Sequence, residues 1–389
     1  MLHEAFYLLL IVILYFLGCL LISTLSKRVM IEKPVSSAYS GSLEALRGFA
    51  AFLVFGAHST MYFGFAPKQV IAAAMGEVGI LLFFMLTGHL FWSQIREGRY
   101  NAATFFKKRI FRLLPIMLVF ITTIMLLDWI TAGLPIPTGR QLLALVRNYG
   151  FGFGTVVNST GNVNDVFSKD IFLRINNIWT LRWEWLFYLT VPLLATLKKF
   201  SNATVFTAFL IILFMDPFQL MNGVTDIVFV MAFWFGAYSY ELEKNRSEWT
   251  SWLFTRTGSS IVLWCSVAGL FYYLLHGELV QKNVRVPIMI LLVFPIFLYF
   301  VISKSFLNRF TWSPMQLIGK VSYSFYLWHL AINFYVMRAM SKLFVQQQSL
   351  WAFISTCSVM MIISITVSML TYRFIEEPFL KQSHVKKTN

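Results

Sequence analysis

Leu46-Arg47-Gly48-Phe49-Ala50-Ala51-Phe52-Leu53-Val54-Phe55-Gly56-Ala57-His58 is apolar enough to form most of a membrane-spanning helix, yet it carries one fixed cation and one titratable imidazole. Eleven residues at about 100° each make about three turns, so Arg47 and His58 share a helix face roughly 16 Å apart along the axis. One helix therefore carries both groups into one cavity. An ionisable side chain inside a bilayer marks a functional site by default. The competing explanation is an Arg that snorkels to headgroups together with a His that bonds a neighbouring helix.

The remainder of the chain supports the membrane reading. Its 389 residues are 58% hydrophobic, 17% aromatic and only 13% charged, with a mean hydropathy of +0.68. That composition excludes a soluble domain around one core and implies an all-α, polytopic integral membrane protein. The net charge of +15 does not imply nucleic-acid binding, because the cations sit between hydrophobic runs rather than in a patch with stacking aromatics. Cys19, Cys265 and Cys357 all fall within apolar runs and read as small fillers, not as disulfide or metal partners. The first run follows Met1-Leu2-His3-Glu4, which lacks a basic segment, and it continues past Cys19; it reads as a transmembrane helix rather than a signal peptide.

Measured against the roughly 20 residues of a spanning helix, apolar runs occur at 4–25, 43–63, 73–94, 112–130, 178–197, 203–216, 224–241, 259–275, 286–302, 318–338 and 350–372. About eleven transmembrane helices are expected. Lys and Arg are more than twice as numerous in one set of connections, which includes Lys27, Arg28, Arg96, Lys107, Lys108, Lys244, Lys381 and Lys386, as in the alternate set. The positive-inside rule then puts the C-terminus in the cytoplasm and the N-terminus outside. The longest connection, about 131–177, falls outside; its aromatic and amide side chains, as in Asn148-Tyr149-Gly150-Phe151, suit contact with sugars or with lipid headgroups.

Depth along the spans orders the buried polar groups. Arg47 lies near the cytoplasmic end of the second span and His58 in its outer half, with Glu184 on the fifth span at a comparable depth. His329 falls near mid-depth, His89 toward the cytoplasmic side, and Arg109 and Arg112 at the inner mouth. Cations leading inward to His and Glu form a channel for an anionic ligand whose reactive end lies within the bilayer. Coenzyme A thioesters have that shape, with phosphates for Arg to bind bidentately. His58 would take a proton from an acceptor hydroxyl, and Glu184 would fix its tautomer. Glu376 and Glu377, in Tyr372-Arg373-Phe374-Ile375-Glu376-Glu377-Pro378, are expected to end the last helix at the interface, with Pro378 as the stop.

These segments together resemble the membrane acyltransferase-3 family, bacterial proteins that acylate surface glycans. Arg47 through His58 is similar to that family's Arg-x10-His signature, Leu82-Phe83-Phe84-Met85-Leu86-Thr87-Gly88 to its Phe-Phe-x-Leu-Ser-Gly segment, and Arg109-Ile110-Phe111-Arg112 to its Arg-x-x-Arg element. Trp179-Thr180-Leu181-Arg182-Trp183-Glu184 with Phe187-Tyr188 resembles its Trp-Ser-Leu-x-x-Glu block, and Gly319-Lys320-Val321-Ser322-Tyr323-Ser324-Phe325-Tyr326-Leu327-Trp328-His329 its Gly-x-x-Ser-Tyr-x-x-Tyr-Leu-x-His block. Departures are Thr87 and Thr180 for Ser, His89 for an apolar residue, and Trp185 for a frequent second acid.

The resemblance implies a ten-helix core preceded by one extra helix: 1–42 as N-terminal helix and connector, 43–380 as the acyltransferase domain and 381–389 as a cytoplasmic tail. It implies Arg47 and His58 as the acyl-transfer pair, Arg109 and Arg112 as ligands of the cytosolic acyl-coenzyme A, and Glu184 and His329 as site lining. Combined with the depth reading, His58 and Glu184 are expected to be catalytic and Arg47, Arg109 and Arg112 to bind acetyl-coenzyme A. Tyr188, Tyr326 and His329 then line the substrate channel, and no metal is required. The expected protein is an inner-membrane O-acetyltransferase acting on a surface polysaccharide such as lipopolysaccharide O-antigen, in a stand-alone form without a fused extracytoplasmic hydrolase-like domain. Alternatives are acyl transfer to a small molecule and transport of a lipid-linked sugar.

Overall fold

The computed structural model describes residues 2–28, 38–60, 69–132, 174–196, 224–245, 251–276, 282–302, 313–343 and 350–384. These form α1 (Leu2–Arg28), α2 (Ala38–Thr60), α3 (Gln69–Arg96), α4 (Ala102–Ala132), α5 (Trp179–Thr196), α6 (Val224–Lys244), α7 (Arg256–His276), α8 (Lys282–Ile302), α9 (Ser313–Lys320), α10 (Ser322–Leu343), α11 (Leu350–Thr371) and α12 (Glu377–His384). A 3-10 turn at Asn176–Ile178 leads into α5 and a π-helical turn at Tyr372–Glu376 joins α11 to α12. No strand occurs among the described residues. A helix covers each expected apolar run except 203–216, which lies outside the described residues together with nearly all of the long 131–177 connection.

Among the described residues, four stretches are long and apolar enough to cross a membrane: Ile71–Arg96, Ala102–Thr131, Arg256–Leu274 and Leu350–Gln382. α2 carries Glu44, Arg47, His58, Ser59 and Thr60 on an otherwise apolar helix, so its hydropathy falls where its polar side chains turn inward. Large apolar side chains stand exposed on the outside of the bundle, among them Phe16 and Leu20 of α1, Leu126 and Ile130 of α4, Trp264 of α7 and Ile362 of α11. In water that surface would be a liability; against acyl chains it is the expected exterior of a membrane protein.

Side-chain contacts set the helix directions. Gly79 lies against Ala50 and Gly76 against Ala57, so α2 and α3 are antiparallel. Phe55 meets Phe325 and His58 meets His329, making α2 and α10 parallel, while Asn177 bonds the carbonyls of Tyr326 and Leu327 at the start of an antiparallel α5. α3 and α6 run side by side in one direction, with Phe84 on Phe233 and Trp92 on Glu241.

Two glycine contacts bring backbones together, as small residues do between membrane helices. A Cβ on Gly88 would overlap the Phe233 carbonyl and one on Gly236 the Met85 carbonyl, and one on Gly319 would overlap that of Glu44. The second contact seats α9 on the start of α2. The expected run 318–338 bends at Val321, two residues beyond Gly319, although the hydrogen bonds from Val321 N to Leu317 O and Phe325 N to Val321 O carry the chain through the bend.

Candidate active site

Where α2 begins and α3 ends, a cavity of about 260 Å³ lies between α2, α3, α4, α5 and α10. Its polar lining includes Glu44, Arg47, Arg109, Arg112, Glu184, Tyr188, Ser322 and Tyr326, and Phe83, Phe84, Phe91 and Leu181 supply apolar wall. The three arginines are not equivalent. Arg47 Nη1 is 2.6 Å from Glu44 Oε1, one turn back on the same helix. Neither Arg109 nor Arg112 forms an ion pair among the described residues. Arg109 lies 5.0 Å from the centre of the Phe91 ring, with its Nε buried and unbonded. Arg112 faces the carboxylates of Glu376 and Glu44 without bonding either. Arg109 also hydrogen-bonds the Tyr188 hydroxyl, but neither guanidinium group is ion-paired among the described residues, and a planar donor fork suits the phosphate oxygens of an entering anion.

The two histidines meet beyond Tyr326, which forms part of the cavity wall and donates from its hydroxyl to Asn177 O at 3.0 Å. His329 Nε2 is 3.1 Å from His58 Nδ1. Their other contacts assign the protons. His329 Nδ1 lies 2.6 Å from the Tyr326 carbonyl and His58 Nδ1 lies 2.9 Å from the Val54 carbonyl. A carbonyl oxygen only accepts, so each Nδ1 carries hydrogen, and a neutral ring then has its lone pair on Nε2. His329 Nε2 accepts a share of the His58 proton. His58 Nε2 keeps a free lone pair among the described residues, which is the form a proton acceptor requires.

The expected pairing of His58 with Glu184 is not formed. Glu184 accepts a hydrogen bond from the Tyr188 hydroxyl, one turn along α5. The cause is the depth at which α5 starts: Asn177 is already level with Tyr326 and Leu327, and Glu184 follows seven residues later, about 10 Å further along the axis. Glu184 therefore lines the cavity with Ser322 and Tyr323, while His58 is level with His329. The expected channel residues divide in the same way, with Tyr188 and Tyr326 at the cavity and His329 beside His58.

Two acids were misread or missed. Glu376 does not end a helix at a surface; it is 1% exposed and accepts from Ser324 Oγ at 2.9 Å. The π-helical turn, closed by Glu377 N–H on Tyr372 O, supplies that inward orientation. Pro378 does not stop the chain either. The helix runs on through it to His384, and it falls directly after the π-helical turn, where the hydrogen-bond register changes. Glu44, absent from the sequence-based candidates, could have been found from its three-residue spacing to Arg47, which puts acid and base on one helix face. His89, on α3, bonds Ser239 Oγ at 2.9 Å between α3 and α6, away from the cavity.

A sequence model of the acyltransferase domain matches residues 40–373, most of the chain. The chain belongs to the acyltransferase-3 family. The matched model describes an acyltransferase domain. This acyltransferase is similar to the O-acetyltransferase OatA proteins of Staphylococcus aureus strains NCTC 8325 / PS 47, COL and MRSA252, with 23% identity over 384 residues, 90% of this chain and 59% of each relative. It thus spans less than two thirds of the length of those relatives. No solved structure matches it significantly. No cluster of three or more potential metal ligands occurs among the described residues.

Proposed function

We propose that this acyltransferase moves an acetyl group from cytosolic acetyl-coenzyme A to a hydroxyl of a surface polysaccharide, such as the O-antigen of a lipopolysaccharide, within the inner membrane. The observation that carries the proposal is the continuity of α2 and α10. Both helices line the arginine-rich cavity at one end and both contribute a histidine to the His58–His329 pair further along. In this assignment the cavity end faces the cytoplasm, the N-terminus is extracytoplasmic and the C-terminus cytoplasmic, as the excess of cations in that set of connections supports. Residues 43–380 act as the acyltransferase unit.

Arg109 and Arg112 engage the donor's phosphates, and Arg47 joins them once it is drawn from Glu44. The cavity admits the slender thioester arm between Phe83 and Leu181. His58 Nε2 accepts the proton of the acceptor hydroxyl as its oxygen bonds to the thioester carbonyl carbon. The carbon–sulfur bond then breaks and coenzyme A leaves as the thiol, its proton returned from His58. Glu184 acts on the donor side, holding Tyr188 beside Arg109 and Arg112.

The experiment uses purified protein in lipid with radiolabelled acetyl-coenzyme A and surface polysaccharide from a strain lacking the gene. Transfer is expected, with a mass gain of about 42 Da per modified residue in the polysaccharide. Arg109→Ala combined with Arg112→Ala should raise the donor KM by about tenfold or more, and the double Lys replacement should recover part of that loss. Neither transfer nor thioester hydrolysis by the wild type would end the proposal and favour transport.

A further inference from the structure

Along α10, Ser322, Tyr326, His329 and Asn333 are spaced four, three and four residues apart. That spacing puts all four on one helix face. The first two line the cavity and the third holds His58. Asn333 stands one turn further, about 6 Å along the axis from His329, on the opposite side of the histidine pair from the donor cavity. It is 0% exposed, and neither its Oδ1 nor its Nδ2 has a hydrogen-bond partner among the described residues. Every other polar member of this face is bonded or lines the cavity: Tyr326 bonds Asn177 and Thr180, and His329 bonds Tyr326 and His58.

A buried amide with both ends unmet destabilises the fold that contains it. Asn177, similarly buried, shows the contrast at one end of its amide: its Oδ1 is also unpartnered among the described residues, but its Nδ2 donates to two carbonyls and ties α5 to α10. Asn333 ties nothing. An amide offers a carbonyl acceptor and an NH₂ donor side by side, which matches two neighbouring hydroxyl groups of a sugar, one donating and one accepting.

We infer that Asn333 is the acceptor-binding residue of this enzyme, holding two neighbouring hydroxyls of a pyranose while another is presented to His58 Nε2. The inference rests on the proposed function and specifies its acceptor side. Donor and acceptor enter from opposite ends of the α10 face and meet at the histidine pair, so acceptor binding and donor binding separate by mutation. The Asp128–Arg174 ion pair, joined by Tyr335, lies further along the same direction and ties α4, the approach to α5 and α10 together around the acceptor end.

The test measures steady-state transfer from acetyl-coenzyme A to polysaccharide from a strain lacking the gene, de-O-acetylated with mild alkali. Asn333→Leu keeps the branched heavy-atom shape, with two somewhat bulkier methyl groups, and removes the amide. It should raise the acceptor KM about ten- to a hundredfold, the equivalent of one or two lost hydrogen bonds, leave the donor KM unchanged and raise the melting temperature. Asn333→Ser, which retains one hydroxyl, should fall between Leu and wild type. An unchanged acceptor KM and kcat in a folded Asn333→Leu protein would overturn the inference while leaving the proposed function intact. Wild-type protein that binds acetyl-coenzyme A but transfers nothing to the polysaccharide would end both.

Discussion

The α3–α6 seam and the α2–α10 seam each bury histidine in an apolar bundle, and they use it in opposite ways. Between α3 and α6, Gly88 and Gly236 bring the backbones together and the polar groups are paired: His89 with Ser239, and Glu241 with Trp92, Arg96 and Asn245. Between α2 and α10 the pairing stops one step short. His58 bonds His329 but retains a lone pair, and on the same α10 face Asn333 is unbonded at both ends among the described residues. A satisfied polar network specifies packing, whereas one with an unused donor or acceptor retains the capacity to bind or react. Hydropathy does not separate the two seams; the hydrogen-bond account does.

The largest expected effect separates the two histidines. His58→Ala should abolish acetyl transfer, since a positioned base contributes about 10²- to 10⁴-fold. His89→Ala should retain kcat within a few-fold and instead lower thermal stability, by the roughly 1–3 kcal/mol that follows from orphaning a buried partner. Parallel rate and melting measurements decide this, and a catalytically dead but stable His89→Ala protein would collapse the distinction.

A smaller effect concerns the glycines. Gly88→Ala pushes a methyl into the Phe233 carbonyl, and overpacking of that kind costs about 1–3 kcal/mol. Lower yield and melting temperature are expected, with unchanged KM for either substrate in whatever protein folds. A donor or acceptor KM that moved with Gly88→Ala would mean that the two seams are mechanically coupled.

The smallest effect lies outside both seams. Glu97, just beyond α3, accepts from Arg99 Nε at 2.8 Å, and that bond holds its carboxyl below the ordinary carboxylate range. A depressed folded-state value contributes stability above the unfolded pKa of about 4.3 and loses it as pH falls through the folded value. Both groups are exposed, so screening leaves little of it. Arg99→Ala should melt slightly below wild type at neutral pH, by well under about 1 kcal/mol, and converge with it as pH falls below the carboxylate range; a large neutral-pH loss would give this surface pair the weight reserved here for buried groups.

Much of this architecture was legible in the chain. Run length and hydropathy located helices because lipid requires every backbone group to bond within its own segment. Arg47, His58, Arg109, Arg112, Glu184 and His329 stood out because charge in an apolar run is costly. Their partners were not legible. Depth arithmetic assumed that α5 starts at a membrane surface, but it starts level with Tyr326, and that displacement moved Glu184 from His58 to the cavity. Asn333 escaped notice because a neutral amide barely disturbs hydropathy; only three-dimensional accounting reveals that it lacks partners. Glu376 was read from its proximity to Pro378, which suggested an ending where the chain continues.

The turn at Tyr372–Glu376 makes chain length itself a determinant of the cavity. A π-helical turn accommodates a surplus residue without interrupting the helix around it. Deleting one residue there would return the backbone to ordinary α-helical winding and rotate Glu376 by about 100° away from Ser324 and Arg112. Every functional side chain would remain in the sequence, and one of the two carboxylates facing Arg112 would nonetheless be gone. Two chains of this kind are therefore compared properly only when the spacing between Tyr372 and Glu376 is counted alongside the identity of the residues.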